Sequence, residues 1–125
     1  MLRSDEALAI DMLRVTVPYE LAYPDPTLVT GIFLYPAFVR GEAYIREGRG
    51  KEAVTEFDKY LQYPGATVSC PLAALARLQL GRSYVLTHEV EKASAAYRDF
   101  LSLWKDADPD IPVLKQAKGE YARLQ

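Results

Sequence analysis

Behind Ser4 and Asp5 the chain places apolar side chains at Leu8, Ile10, Met12, Leu13 and Val15. A hydroxyl that can accept an orphan backbone N–H, followed by an early acid, starts a helix, and the segment predicts about three turns of it. Residues 16–31, TVPYELAYPDPTLVTG, carry Pro18, Pro24 and Pro26. Proline lacks the N–H that a helix interior needs, so this stretch reads as a long connection. From Phe33 onward Leu34, Ala37, Phe38, Gly41, Tyr44 and Ile45 recur at steps of three and four, the helical period, with Pro36 tolerated only in the first turn. Gly48 and Gly50 break the run, a second helix is predicted over 51–63, and YPGATVSCP ends it. The alternation then returns as a helix over 72–86, a tight turn at THEV and a helix over 91–104. After KDADPDIP, Pro112 suits the first turn of a last helix and Asp110 its cap. No stretch has the period of two that marks a half-buried strand, so the expected fold class is all-α with about six helices.

The two middle helix pairs are written alike. GEAYIREGRGKEAVTEFDKYL, residues 41–61, is echoed by GRSYVLTHEVEKASAAYRDFL, residues 81–101, at a constant offset of 40 residues. Gly41 and Gly81, Tyr44 and Tyr84, Ala53 and Ala93, and Leu61 and Leu101 coincide, while Ile45 answers Val85, Phe57 answers Tyr97 and Tyr60 answers Phe100. Charged positions between them vary freely, so the repeated feature is a packing pattern, and a period of this size marks a repeat architecture. Gly41 and Gly81 are expected where the paired helices approach most closely.

These positions resemble the tetratricopeptide repeat, whose signature sets Leu-Gly, then Tyr three residues later, Ala in the second helix, an aromatic four residues on and often a closing Pro. The first unit matches at Gly41, Tyr44, Ala53, Phe57 and Pro64, the second at Leu80, Gly81, Tyr84, Ala93 and Tyr97. Ala37 and Arg77 stand at the Trp place, Arg40 replaces Leu, and His88 takes the turn place that Gly48 holds. The period exceeds the family's usual figure of about 34, and the extra residues fall around ATVSCP. Ala9 and Leu13 reproduce the second-helix spacing with an aliphatic residue. The resemblance implies a single domain: a half repeat over 1–16, full repeats over 32–64 and 71–105, and a capping helix over 111–125, stacked as a superhelix of antiparallel hairpins. The stretch FLSLWKDADPDIPVLKQAKGEYARLQ further resembles the carboxyl-terminal repeat regions of bacterial serine/threonine kinase-linked and regulator-linked multidomain proteins, which implies a fragment of a larger regulatory protein. No kinase core is written here: the glycine-rich loop, His-Arg-Asp and Asp-Phe-Gly are all absent.

Composition changes this picture little. The 125 residues are half hydrophobic and 26% charged, with a net charge of −2. This balance gives no electrostatic footprint for nucleic acid, and no apolar run is long enough to span a bilayer. The cytoplasm is the expected location, or an extracytoplasmic one if a membrane helix lies upstream. Cys70, the single cysteine, permits no internal disulfide and reads as a loop thiol. Asp106, Asp108 and Asp110 alternate like the start of a calcium loop, but Ile111 stands where such a loop needs Gly and Ala117 where it needs Glu. The one histidine, His88, reads as a surface turn residue, and Glu52 and Glu56 as a solvated face beside Lys51 and Lys59. Tyr44, Tyr84 and Tyr97 read as core, and Trp104 as packing under the last helix. No catalytic, cofactor or metal site is expected.

The resemblance implies a scaffold whose concave face, lined by the first helix of each hairpin, binds a peptide or partner domain. Phe38, Glu42 and Ile45, with Leu78, Arg82 and Val85 in the equivalent places, form a stripe expected to line that groove. It would grip a ligand by apolar anchors rather than clamp a terminal carboxylate. Two other readings are a structural cap of a longer array without a ligand, and an enzyme-associated domain. The first helix, lacking a hairpin partner, is expected to leave Leu8, Met12 and Leu13 uncovered and to favour self-association through that end.

Overall fold

The computed structural model describes residues 4–19, 35–62 and 71–125. It folds them into α1 (Asp5–Leu13), a 3-10 segment (Arg14–Tyr19), α2 (Tyr35–Arg46), α3 (Gly50–Leu61), α4 (Pro71–Leu86), α5 (Val90–Leu103) and α6 (Pro112–Arg123), with no strand among these residues. The fold is all-α, as the periodicity predicts. Ser4 caps α1 by accepting the Ala7 N–H at 3.2 Å. Pro18 stands in the 3-10 segment, whereas Pro24, Pro26, Phe33, Leu34, Pro64 and Cys70 lie outside the described residues.

Two hairpins, α2–α3 and α4–α5, repeat down to the backbone of their turns. Gly48 has φ +72° and His88 φ +60°, so the histidine adopts the left-handed conformation that the first unit gives to glycine. The residues that follow, Arg49 at φ −95°, ψ 71° and Glu89 at φ −94°, ψ 70°, are nearly superposable. Arg49 N–H reaches the Tyr44 carbonyl at 2.8 Å, and Glu89 N–H reaches the Tyr84 carbonyl at 2.9 Å. The side chains at these turns are not free to vary as the sequence implies. Arg49 pairs with Glu52 in one unit and Lys92 with Glu89 in the other, the same two positions with opposite signs. In both units the cation lies over the equivalent tyrosine, Arg49 over Tyr44 and Lys92 over Tyr84.

The hairpins are closed by an aromatic ring seated on a glycine. A Cβ on Gly41 would stand 2.7 Å from Phe57 Cζ, and one on Gly81 would stand 3.1 Å from the Tyr97 ring. Phe57 cannot withdraw, because it is fully buried and Phe38 meets it edge-on with ring centroids 5.5 Å apart. Gly50 serves the contact between units: a Cβ there would lie 2.8 Å from Leu86 Cβ, so α3 begins hard against the end of α4. Two cores result. Ile10, Phe38, Phe57 and Tyr60 anchor the first, and Leu78, Tyr97, Phe100 and Leu114 the second. Trp104 packs beside the second, 5.1 Å from Phe100.

Arg40, at a position where the repeat pattern asks for Leu, is 1% exposed. Its Nη2 donates to Glu56 at 2.8 Å and its Nη1 to the Leu13 carbonyl at 2.9 Å. It thereby satisfies an end carbonyl of α1 and ties that helix to the first hairpin. Glu56 is therefore not on a solvated face, which corrects the sequence expectation; Glu52 does lie at the surface, paired with Arg49. The second unit places Leu80 and Ala96 at the equivalent positions. The cap of α6 also differs from expectation. Asp108 accepts the Asp110 N–H at 2.9 Å, Asp110 pairs with Lys115 at 3.2 Å, and Ile111 becomes the capping residue without a side-chain bond.

Two stability outcomes follow from these contacts. Gly41→Ala should cost about 1 to 3 kcal/mol through overpacking. At Gly81 the looser fit lets the better helix propensity of Ala offset the strain, leaving a change within about 1 kcal/mol of zero. Thermal melting of the two variants tests this, and equal losses would contradict it. Glu56→Ala, which strands a buried guanidinium, should cost about 3 kcal/mol. The double change Arg40→Leu with Glu56→Ala, which imports the apolar solution of the second unit, should recover most of that loss in a denaturant double-mutant cycle. A double variant no more stable than Glu56→Ala alone would mean that the bond from Arg40 to the Leu13 carbonyl outweighs the gain from replacing the buried guanidinium.

Candidate functional site

The expected groove stripe divides. Phe38 is 5% exposed and packs on Phe57 and Tyr60, and Leu78 is 1% exposed within the second core. Neither side chain is open to a ligand. The reason lies in α2 and α4, each of which has neighbours on more than one side: α2 packs on α1, α3 and α4, and α4 on α2, α3 and α5. On α2 the buried set runs through Ala37, Phe38, Arg40, Gly41, Ala43 and Tyr44, leaving no separate face at Phe38. Glu42 is half-buried and accepts a hydrogen bond from Gln79 Nε2 at 2.8 Å.

Ile45, Arg82 and Val85, the other three, do come together. They line a cleft of about 510 Å³, to which α4 also contributes Leu86, α5 Tyr97, and α6 Glu120 and Arg123 together with its C-terminal cap Leu124. Its walls are mainly apolar, and its polar centre is a three-helix contact. Arg82 grips Glu120 with two parallel bonds, Nε to Oε2 at 2.9 Å and Nη2 to Oε1 at 2.8 Å. The Tyr97 hydroxyl donates to the same Oε2 at 2.6 Å. Behind them Arg82 Nη1 donates to Gln79 Oε1 at 3.2 Å, so Gln79 links Glu42 to the Arg82 cluster. Tyr97 is placed by its ring, seated on Gly81, which leaves the hydroxyl to reach α6.

These contacts fix the charges. Burial alone would raise the Glu120 carboxyl, but the bonds from Arg82 and Tyr97 and the nearby guanidinium charges outweigh it and hold the group below the usual carboxylate range. Burial and the Glu120 carboxylate push the Tyr97 phenol up. Arg82 is raised by its bond to Glu120 against the opposing effect of burial. Arg123 adds a second positive charge at the cleft.

Sequence reading missed Glu120 and gave Tyr97 a packing role only. A signal for Glu120 was present: Leu114, Ala117, Tyr121 and Leu124 mark one apolar face of α6 at steps of three and four, and Glu120 stands beside it. An acid there needs a cationic partner from the helix it meets. Elsewhere, His88 is an exposed turn residue. Among the described residues no three His, Cys, Asp or Glu side chains gather as metal ligands, and no helix is long and apolar enough to cross a membrane. Leu8 and Met12 are 49% and 66% exposed on α1, and Leu13 is partly covered. In comparisons with known proteins the chain matches no family model, no curated protein and no solved structure.

The depressed Glu120 pKa makes α6 acid-sensitive. The stabilisation is fully present above the unfolded carboxylate value of about 4.3 and is lost as pH falls through the lower folded value. Glu120→Gln should therefore lower stability by about 1 kcal/mol at neutral pH, a charge-assisted contact discounted for its partial exposure. The gap between variant and parent should close below about pH 4. Melting of both proteins from pH 7 to pH 3 reads this directly, and a gap that does not change with pH would exclude the pair as its source.

Proposed function

We propose that the chain is a protein-interaction module of the tetratricopeptide-repeat type, which holds a peptide or a segment of a partner domain in the cleft between α4 and α6. The observation that carries this reading is the make-up of the cleft: Ile45, Val85, Leu86 and Leu124 around two arginines and one carboxylate. Apolar walls with a few fixed polar groups suit a ligand held by apolar anchors and oriented by charge. Catalysis is less well served by the same groups. Glu120 is held ionised and the Tyr97 phenol is pushed further from neutrality, so neither is tuned to exchange a proton near pH 7. A second reading, a stacking unit within a longer array, draws on the exposed apolar side chains Leu8, Met12 and Val15 of the first helix and its extension.

Selection of a random peptide display library on the full chain tests the first reading, with Val85→Glu as the control. Val85 is 39% exposed, so the substitution should leave the melting midpoint nearly unchanged, within about 0.5 kcal/mol. Enriched peptides should combine apolar residues with a carboxylate and bind the variant about tenfold or more weakly, a loss of at least 1.4 kcal/mol. Peptides that bind parent and variant alike, or a library that yields none, would reject the cleft as the ligand site.

A further inference from the structure

The polar centre of the cleft is a complete carboxylate receptor with its guest supplied by the chain itself. Arg82 offers two parallel donors, the Tyr97 hydroxyl a third, and Gln79 holds the guanidinium from behind. Fork-shaped recognition of this kind is what arginine provides for a carboxylate. The two receptor groups belong to the hairpin α4–α5, whereas Glu120 arrives on α6.

That guest helix is weakly held. Only Leu114 and Ala117 of α6 are buried, with Val113 and Tyr121 partly buried against the second core, fewer than the four buried residues each of α3 and α5. The link from α5 carries Lys105, Asp106, Asp108, Pro109 and Asp110, all exposed. Gly119 sits inside the helix with no steric reason to be glycine, since a Cβ there would meet only Arg123 Nη2 at 3.9 Å. A glycine in a helix interior costs about 1 kcal/mol relative to alanine, so α6 carries an avoidable weakness next to the residue that docks it.

We infer that α6 is a built-in occupant of a carboxylate site formed by Arg82 and Tyr97, and that an acidic, apolar peptide of a partner protein takes the cleft by replacing Glu120 there. The inference rests on the interaction reading above and adds its ligand chemistry and its control. Charge favours such a partner: with α6 and its Glu120 displaced, Arg82 faces the cleft without its carboxylate. Closure by α6 weakens the partner's apparent affinity in proportion to the small open fraction.

The probe is a labelled synthetic peptide of residues 111–125, the chain's own guest, added in trans to the 125-residue chain. Glu120→Gln in the protein should open the site and tighten peptide binding about fivefold, the equivalent of the loss of about 1 kcal/mol in closure. Gly119→Ala, outside the receptor, should close it further and weaken binding. A peptide that itself carries Glu120→Gln should bind none of the proteins well. Hydrogen exchange of the α6 amides should speed up in Glu120→Gln and slow in Gly119→Ala, with α2 to α5 unchanged. Exchange that rises in α2 to α5 together with α6 would overturn the inference, as would peptide binding indifferent to both substitutions. Concentration-dependent dimers of the parent protein without peptide would make a second copy's α6 the occupant and overturn the partner assignment. If displayed peptides fill the cleft while α6 stays protected, the interaction reading stands and the displacement falls. If the trans peptide follows the expected order but no foreign peptide selects the cleft, the carboxylate site stands and the interaction reading falls.

Discussion

The seating of an aromatic ring on a glycine is the contact from which the rest of the structure follows. Phe57 on Gly41 and Tyr97 on Gly81 set the separation of each helical pair, at a distance that excludes a side chain at Gly41 and leaves only a tight fit for a methyl group at Gly81. Once the pair is that close, the ring has no freedom left, and what surrounds it is determined. In the first unit Phe38 and Tyr60 close around Phe57 to make a core. In the second the ring bears a hydroxyl, and the fixed ring delivers that hydroxyl to Glu120 at 2.6 Å. The same packing device yields an aromatic core in one unit and part of the polar centre of a cleft in the other, where Tyr97 adds a hydroxyl and Arg82 stands in place of Glu42.

Between the two units the interactions are kept while the residues that make them change. The turn pair survives with its charges exchanged, because a cation at either Arg49 or Lys92 can both answer the acid and cover the tyrosine. The left-handed turn survives a change from Gly48 to His88, at a cost in backbone strain that glycine does not incur. Arg40 with Glu56 stands where the second unit has Leu80 and Ala96. The ionic version has a use that the apolar version lacks, since Arg40 also holds the end of α1 through the Leu13 carbonyl. An arginine at a leucine place is therefore explained by a neighbour that only the first unit possesses.

This bears on what the sequence could disclose. Spacing along one helix reports which residues share a face, so the helices, the turns and the glycines of close approach were legible from Gly41, Tyr44 and Ala53 and their partners 40 residues on. Spacing does not report how many neighbours a helix has. Phe38 and Leu78 look like an independent stripe until α2 and α4 are seen to be flanked on several sides, which draws both residues into the cores. Glu56 looks solvated for the same reason, its partner being on another helix. The cleft was half legible: Ile45, Arg82 and Val85 fall on the stripe, but Glu120 lies outside the repeat, and no periodicity says where a non-repeating helix docks.

The position of the cleft in the gradient of packing gives it its character. From α2 to α5 each helix is locked by glycine contacts and fully buried rings, so these elements open only at a large fraction of the total unfolding cost. Beyond α5 the buried contribution falls to Leu114 and Ala117, and a half-buried ion pair takes over. A carboxylate held by Arg82 and Tyr97 is exchangeable in a way a buried ring is not, because another carboxylate offers the same bonds, whereas removing Phe57 would leave a cavity. The rigid hairpin supplies fixed donors and the weak helix supplies a replaceable acceptor. A site assembled at that boundary gains preorganisation from one side and release from the other, and neither would be available one helix earlier in the chain.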